Sequence, residues 1–182
     1  MTMAATMIET PEMIRRRRMA LLAAFLGWMF DGLEMGLFPL IARPALRQMQ
    51  VLEVGATDAF VGQWMGIVTA LFLVGAALGG AAFGWLGDRV GRMRALSLSI
   101  LTYSLFTGLV YFAQEPWHLG ALRFIAALGM GGEWALGVAL VMEIWPDHKR
   151  PMLAGIIGMA GNLGFLLIAV IGMLFAVTED SW

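Results

Sequence analysis

Four ionisable residues stand inside apolar stretches of this chain, and their types and spacing decide which chemistry is open to it. Asp31 and Glu34 occur in the first stretch, Arg123 and Glu133 in the fourth. Two residues three apart share one face of a helix, and Glu34 then lies about 4.5 Å further along the axis than Asp31. Gly27 and Phe38 continue that face, flanking the acids with space and an aromatic ring. Glu133 falls near the middle of a stretch that runs in the opposite direction. The expectation is that the three carboxylates share one depth, within about 5 Å by helix rise. Ionisable groups in a bilayer cost roughly 2.5–3.5 kcal/mol each on insertion scales, so each calls for a reason. A carboxylate that takes a proton on one side and releases it on the other is what proton coupling requires. The structural alternative is an acid satisfied by Arg123 or by neighbouring backbone. Arg123 itself has three open roles: snorkelling to the interface, pairing with Glu133 through intervening groups, or receiving an anion.

The elements that must position these groups follow from composition. The chain is 60% hydrophobic and 14% charged, with a mean hydropathy of +0.79. Soluble domains carry roughly 25% charged residues, so this is an integral membrane protein. About 20 apolar residues cross a bilayer. Spans are expected at about Met19 to Ala42, Ala59 to Gly87, Ala95 to Gln114, Leu119 to Met142 and Pro151 to Thr178, with Pro44, Pro116, Pro146 and Pro151 at the breaks. The basic run Arg15 to Arg18 followed by an apolar segment imitates a secretory signal. No small-residue cleavage site follows it, and further apolar stretches do, so it is read as the first span. Arg15 to Arg18, Arg89, Arg92, Arg94, Lys149 and Arg150 fall on alternate loops, which places the N-terminus in the cytoplasm of a cell-membrane protein. Glycines four apart in the second span (Gly75, Gly79; Gly80, Gly84) and three apart in the fifth (Gly155, Gly158, Gly161, Gly164) suit close helix packing.

Several function classes are disfavoured. Cysteine is absent, which removes disulfides, thiolate metal sites and thiol catalysis. His118 and His148 lie near helix ends and make poor metal ligands. An intramembrane hydrolase needs a Ser–His or two-aspartate arrangement at depth, and Asp31 is the one aspartate within a span. There is no phosphate-binding loop of the Walker type. No catalytic residue, metal, cofactor or nucleic-acid partner is expected.

Four motifs occur along the chain. Gly84-Trp85-Leu86-Gly87-Asp88-Arg89-Val90-Gly91-Arg92 resembles G-x-x-x-D-R/K-x-G-R/K-R/K, the loop between the second and third helices of the major facilitator superfamily, with Met93 at the last basic position and Arg94 one residue late. In this reading Gly84, Gly87 and Gly91 permit a tight reversal. Arg123 to Glu133 resembles the family's fourth-helix motif R-x-x-x-G-x-G-x-G, with Ala127 in place of the first glycine. Its Gly-Gly-Glu ending is similar to that of metabolite–proton symporters. Glu143 and Arg150 match the E-x6-R spacing of the sugar-porter-like branch, and Asp31-Gly32-Leu33-Glu34 resembles the D-G-x-D signature of aromatic-acid and sialate symporters, with glutamate in the second acidic place. Drug antiporters of the superfamily carry a Gly-Pro pair in the fifth helix; Gly155 to Gly172 contains no proline, so the resemblance favours symport.

The resemblance implies an all-α membrane fold: a cytoplasmic tail over 1–18, five of the six helices of an N-terminal transporter half over 19–177, and an outer loop over 178–182 leading to a missing sixth helix. The implied function is secondary active transport, a proton-coupled symport of a small carboxylate such as an aromatic acid, a nicotinate-like acid or a sialate. Asp31 and Glu34 would carry protons, Glu133 would couple or gate, and Arg123 would contact the anion. Gly84, Gly87, Asp88, Arg89, Gly91, Arg92, Glu143 and Arg150 would form one cytoplasmic gate network. The partners implied are the solute, protons, the lipid bilayer and the C-terminal half of the carrier. The alternative is a truncated half-carrier that inserts without transporting, or a membrane scaffold.

Overall fold

A computed structural model describes residues 10–51 and 57–174. Five long helices account for nearly all of them: α1 Pro11–Val51, α2 Asp58–Val90, α3 Arg92–Leu109, α4 Pro116–Ile144 and α5 Arg150–Leu174. Short 3₁₀ turns follow α3 at Val110–Phe112 and precede α5 at Asp147–Lys149. All five helical segments are long and apolar enough to cross a membrane.

Helix boundaries follow local chemistry. Thr57 caps α2, its Oγ1 accepting from the Phe60 amide at 3.3 Å, and Asp58 adds an acid to the first turn. Pro116 opens α4, where a missing donor costs nothing. Trp145 and Pro146, both extended, stop α4 before the next turn.

Several boundaries differ from the sequence expectation. The reversal after the second span is one residue, not a loop. α2 continues through Gly84, Gly87, Asp88 and Arg89, and only Gly91 leaves the helical region, at φ +95°, with its amide still bonded to the Gly87 carbonyl. That φ favours glycine alone; Gly84 and Gly87 are simply helical. α1 begins at Pro11, so Arg15 to Arg18 are helical and continuous with the first apolar stretch. It also runs on past Ala42, with Pro39 and Pro44 inside it. Pro44 therefore breaks nothing; it removes one rung from the hydrogen-bond ladder of a 41-residue helix. Pro151 stands in the first turn of α5, at the break as expected, where a missing donor costs little. Residues 175–182, where the expected end of the fifth span and the outer loop fall, lie outside the described residues.

Packing centres on α4. α2 and α3 pack against it, α1 touches it, and α5 packs on α1. Three of these contacts bring backbones together, and in one of them a methyl on Gly129 of α4 would lie 2.6 Å from both the Ser99 carbonyl oxygen and the Tyr103 nitrogen of α3. A methyl on Gly79 would lie 2.6 Å from Leu128 Cα, and one on Gly131 would lie 2.9 Å from Ala76 Cα, so α2 and α4 touch main chain to main chain. Gly32, Gly161 and Gly164 do the same for α1 and α5: a methyl on Gly164 would stand 2.6 Å from the Leu33 nitrogen. Lipid offers apolar helices no hydrophobic drive to associate, so such close approach supplies the cohesion. The expected glycine stripes are only partly used, because Gly84, Gly155 and Gly158 have no neighbour within 4 Å of such a methyl. The helix α3 is tied to α4 by Ser99, buried, whose hydroxyl donates to the Gly129 carbonyl.

The two classes of glycine predict opposite outcomes for one substitution. Gly84→Ala should stabilise the chain in detergent by about 0.5–1 kcal/mol, since it adds helix propensity and meets nothing. Gly79→Ala should destabilise it by about 1–3 kcal/mol by forcing α2 from α4. Thermal unfolding of the two purified variants measures both, and equal effects would refute the backbone contact.

Candidate transport site

The functional side chains come from α1 and α4, which run antiparallel. Gly27 on α1 faces Glu133 on α4, and Glu34 faces Arg123, so the acid end and the arginine end of the two rows meet in register. Gly27 is what allows this: a methyl there would stand 3.0 Å from Glu133 Cδ and collide with its carboxylate.

Arg123 forms an ion pair with Glu34, both side chains largely enclosed. Its guanidinium carbon also lies 4.3 Å from the Phe38 ring centroid and 5.0 Å from that of Phe72, so a cation is held between an acid and two aromatic faces. Arg123 is 5% exposed. It neither snorkels nor pairs with Glu133, which corrects two of the roles left open by the sequence. A cavity of about 80 Å³ adjoins the pair, lined among others by Glu34, Phe38, Ile41, Thr107, Leu119 and Arg123. Glu34 Oε2, Thr107 Oγ1 and Arg123 Nε are buried without a protein hydrogen-bond partner.

Asp31 is fully buried, and neither carboxylate oxygen has a protein donor; Glu133 Oε2 lacks one too. Asp31 and Glu133 are close enough to feel each other's charge. The three acids therefore form not one cluster but two sites: Asp31 with Glu133 on one side, Glu34 neutralising Arg123 on the other. The reason is side-chain direction. Residues three apart on a helix diverge by about 60° around the axis, enough for Asp31 and Glu34 to meet different neighbours.

At the other end of α4, Arg92 joins three helices. Its Nη2 lies 2.7 Å from Asp88 Oδ1 and its Nε lies 3.0 Å from Glu143 Oε1. A methyl on Gly87 would come within 3.3 Å of Arg92 Nη1, so this glycine leaves room for the arginine. The expected single network is smaller than the motif. Arg89 lies over the Trp85 ring at 4.1 Å, and Arg150 bonds Asp147 at 2.9 Å and the Trp145 carbonyl at 3.2 Å. Gly84 and Gly91 take no part beyond backbone.

Phe72, Tyr103 and Thr107 complete the arrangement and carry no charge or motif by which the sequence could single them out. Trp28 and Trp134 form a tilted pair with ring centroids 4.3 Å apart, and nothing in the sequence marks them beyond Trp134 directly following Glu133.

The family model for the Major Facilitator Superfamily matches residues 19–182. The chain belongs to this superfamily. Among curated relatives, it is 36% identical to the "Probable 4-methylmuconolactone transporter" of Cupriavidus pinatubonensis, over 88% of this chain and 36% of that one. It is 33% identical to the niacin transporter NiaP of Acinetobacter baylyi, over 86% and 34%, and 31% identical to the gentisate transporter of Corynebacterium glutamicum, over 93% and 36%. The chain thus spans about a third of the length of these relatives. It is a multi-pass membrane protein of a transporter family, not an enzyme, and the relatives carry small organic molecules.

The Glu34–Arg123 pair generates a double-substitution test. Arg123→Met alone leaves a buried, uncompensated carboxylate and should cost about 3–5 kcal/mol of stability. Arg123→Met with Glu34→Gln should recover most of that loss. Unfolding of the purified chain by graded denaturing detergent measures the coupling, and additive losses would show that the two side chains do not interact.

Proposed function

We propose that this chain forms the N-terminal part of a secondary transporter that couples uptake of a small organic carboxylate to protons, and that it works with a second helical half. The observation that carries the reading is the pair Asp31 and Glu133, buried at mid-span without hydrogen-bond donors from the protein. Two carboxylates in that setting call for neutralisation, and a proton that arrives and leaves supplies it. Family membership and the small organic acids named for the relatives support the same reading.

In this reading the steps are as follows. Asp31 holds the coupled proton, with Glu133 beside it as coupling acid. Glu34 occupies Arg123, so an anionic solute reaches the guanidinium only when Glu34 lets go, and protonation of Glu34 is what releases it. One proton and one substrate carboxylate then enter together, the substrate's carboxylate taking the place of Glu34's at the same cation, and no net charge is left buried. The Asp88–Arg92–Glu143 link, exposed to solvent, holds one state of the rocking motion; exposed pairs are individually weak, which suits a contact that must break in each cycle. The Arg15–Arg18 end faces the cytoplasm of the cell membrane.

Two measurements test this reading. In the carrier completed by its second half, Asp31→Asn should abolish accumulation driven by a pH gradient and leave counterflow exchange at least partly intact. Full accumulation by a folded Asp31→Asn carrier would overturn the role of Asp31. For orientation, the chain has no native cysteine. Met93→Cys should resist an impermeant thiol reagent in intact cells and Gln114→Cys should react; the reverse labelling would invert the topology.

A further inference from the structure

Two of the glycine contacts in this bundle are one contact made twice. Gly79 of α2 faces the Leu128 carbonyl of α4, and Gly164 of α5 faces the Met29 carbonyl of α1. About one turn further, Gly131 of α4 faces the Ala76 carbonyl of α2, and Gly32 of α1 faces the Gly161 carbonyl of α5. The pair α1 and α5 therefore repeats the pair α4 and α2 in one constant register. Buried residues elsewhere keep that register: Ala42 and Val68 share one apolar cluster, and their counterparts Val141 and Leu153 share another.

The repeat puts Glu34 and Glu133 in equivalent places, and it gives Arg123 a counterpart in Ala24. Arg123 pairs with Glu34 against the rings of Phe38 and Phe72. Ala24 stands against the counterparts of those rings: a methyl on Gly137 would lie 3.5 Å from its Cβ, and Ile157 shares its cluster. Ala24, Gly137 and Ile157 line one cleft with Glu133. Both halves of the repeat hold the acid, and only one holds the guanidinium.

Glu133 is 6% exposed, and its Oε2 has no protein partner. A buried carboxylate calls for a cation or a proton. The cleft decides between them. At about 10 Å³ it admits about one water, too little for an organic ammonium. Glu133 is the only side chain in its lining with oxygen to donate, whereas a hard metal ion takes roughly six or more oxygens. A proton needs neither space nor a shell. The titratable groups around Glu133 are Asp31 of α1 and Tyr103 of α3, which meets α4 at Gly129. α2 and α5 carry no ionisable residue within their apolar stretches.

We infer that Ala24 sets the coupling role of Glu133: standing where the other half of the repeat holds Arg123, it leaves this acid to a mobile proton instead of a fixed guanidinium. The inference rests on the transport reading above and adds the residue that keeps its coupling acid exchangeable.

The decisive variant is Ala24→Arg, which copies the other half of the repeat. A guanidinium there holds Glu133 and its neighbour Asp31 ionised. In the completed carrier, Ala24→Arg should reduce accumulation driven by a pH gradient to simple equilibration, while counterflow exchange survives. Ala24→Met, similar in reach but uncharged, should still accumulate solute above equilibration. In the purified chain, the unfolding midpoint of Ala24→Arg should lie above that of Ala24→Arg combined with Glu133→Gln, although Glu133→Gln alone should not lower it. If Ala24→Arg does not fold, Trp28→Ala is added to make room, since the counterpart of Trp28 is Ala127. Gradient-driven accumulation by a folded Ala24→Arg carrier would overturn the inference, as would an equal loss in Ala24→Met, which marks bulk and not charge. Equal midpoints with and without Glu133→Gln would do the same. Carboxylate uptake by the unmodified carrier that ignores a pH gradient would instead overturn the transport reading, and the role of Ala24 with it.

Discussion

Close approach of helix backbones is the constraint on which the rest of this structure depends. Water drives apolar surfaces together in a soluble domain, but lipid is as apolar as the helices it surrounds, so cohesion must come from packing. Here glycine supplies it three times, where α2 and α3 meet α4 and where α5 meets α1. These contacts are related in kind: each of the acid-bearing helices, α1 and α4, is gripped by one or more partners that carry no charge through their membrane stretch. That grip fixes the rotation of α1 and α4, and the rotation decides which acid meets which neighbour.

The charged groups sort into three kinds by surroundings. Glu34 and Arg123 neutralise each other between two phenylalanine rings. Asp31 and Glu133 are enclosed without protein donors. Asp88, Arg92 and Glu143 are bonded at the exposed end of the helices, where water pays most of their solvation and the pairing is weak. A buried pair resists being opened and a surface pair does not. The distribution therefore puts the electrostatics that are costly to break at mid-span and those that are easily broken at the surface.

Family motifs and physical roles coincide only in part. The loop motif is a helix end with a single glycine in positive φ, and of its basic residues only Arg92 crosses to another helix. Arg150, matched by spacing to Glu143, turns back onto its own segment through Asp147 and the Trp145 carbonyl. A motif preserves residue types at a spacing; whether they touch depends on where the intervening helix ends.

What the sequence determined by itself was the class of structure and the inventory of the site. Apolar runs of membrane-spanning length can satisfy their backbone only as helices, so five helical spans were legible from hydropathy, and every charge inside them was conspicuous because lipid makes it costly. Helix ends were less legible. α1 runs beyond both ends of its apolar run and α2 carries its helix through Gly87 to Val90, since neither proline nor glycine stops a helix whose neighbours hold it. The tertiary structure alone decided the partners. Helix rise put Asp31, Glu34 and Glu133 at one depth, but depth is one coordinate and contact needs the rotation as well. That rotation is set by glycines on other helices, and it gave Glu34 to Arg123, left Asp31 with Glu133, and turned Trp134 outward beside them.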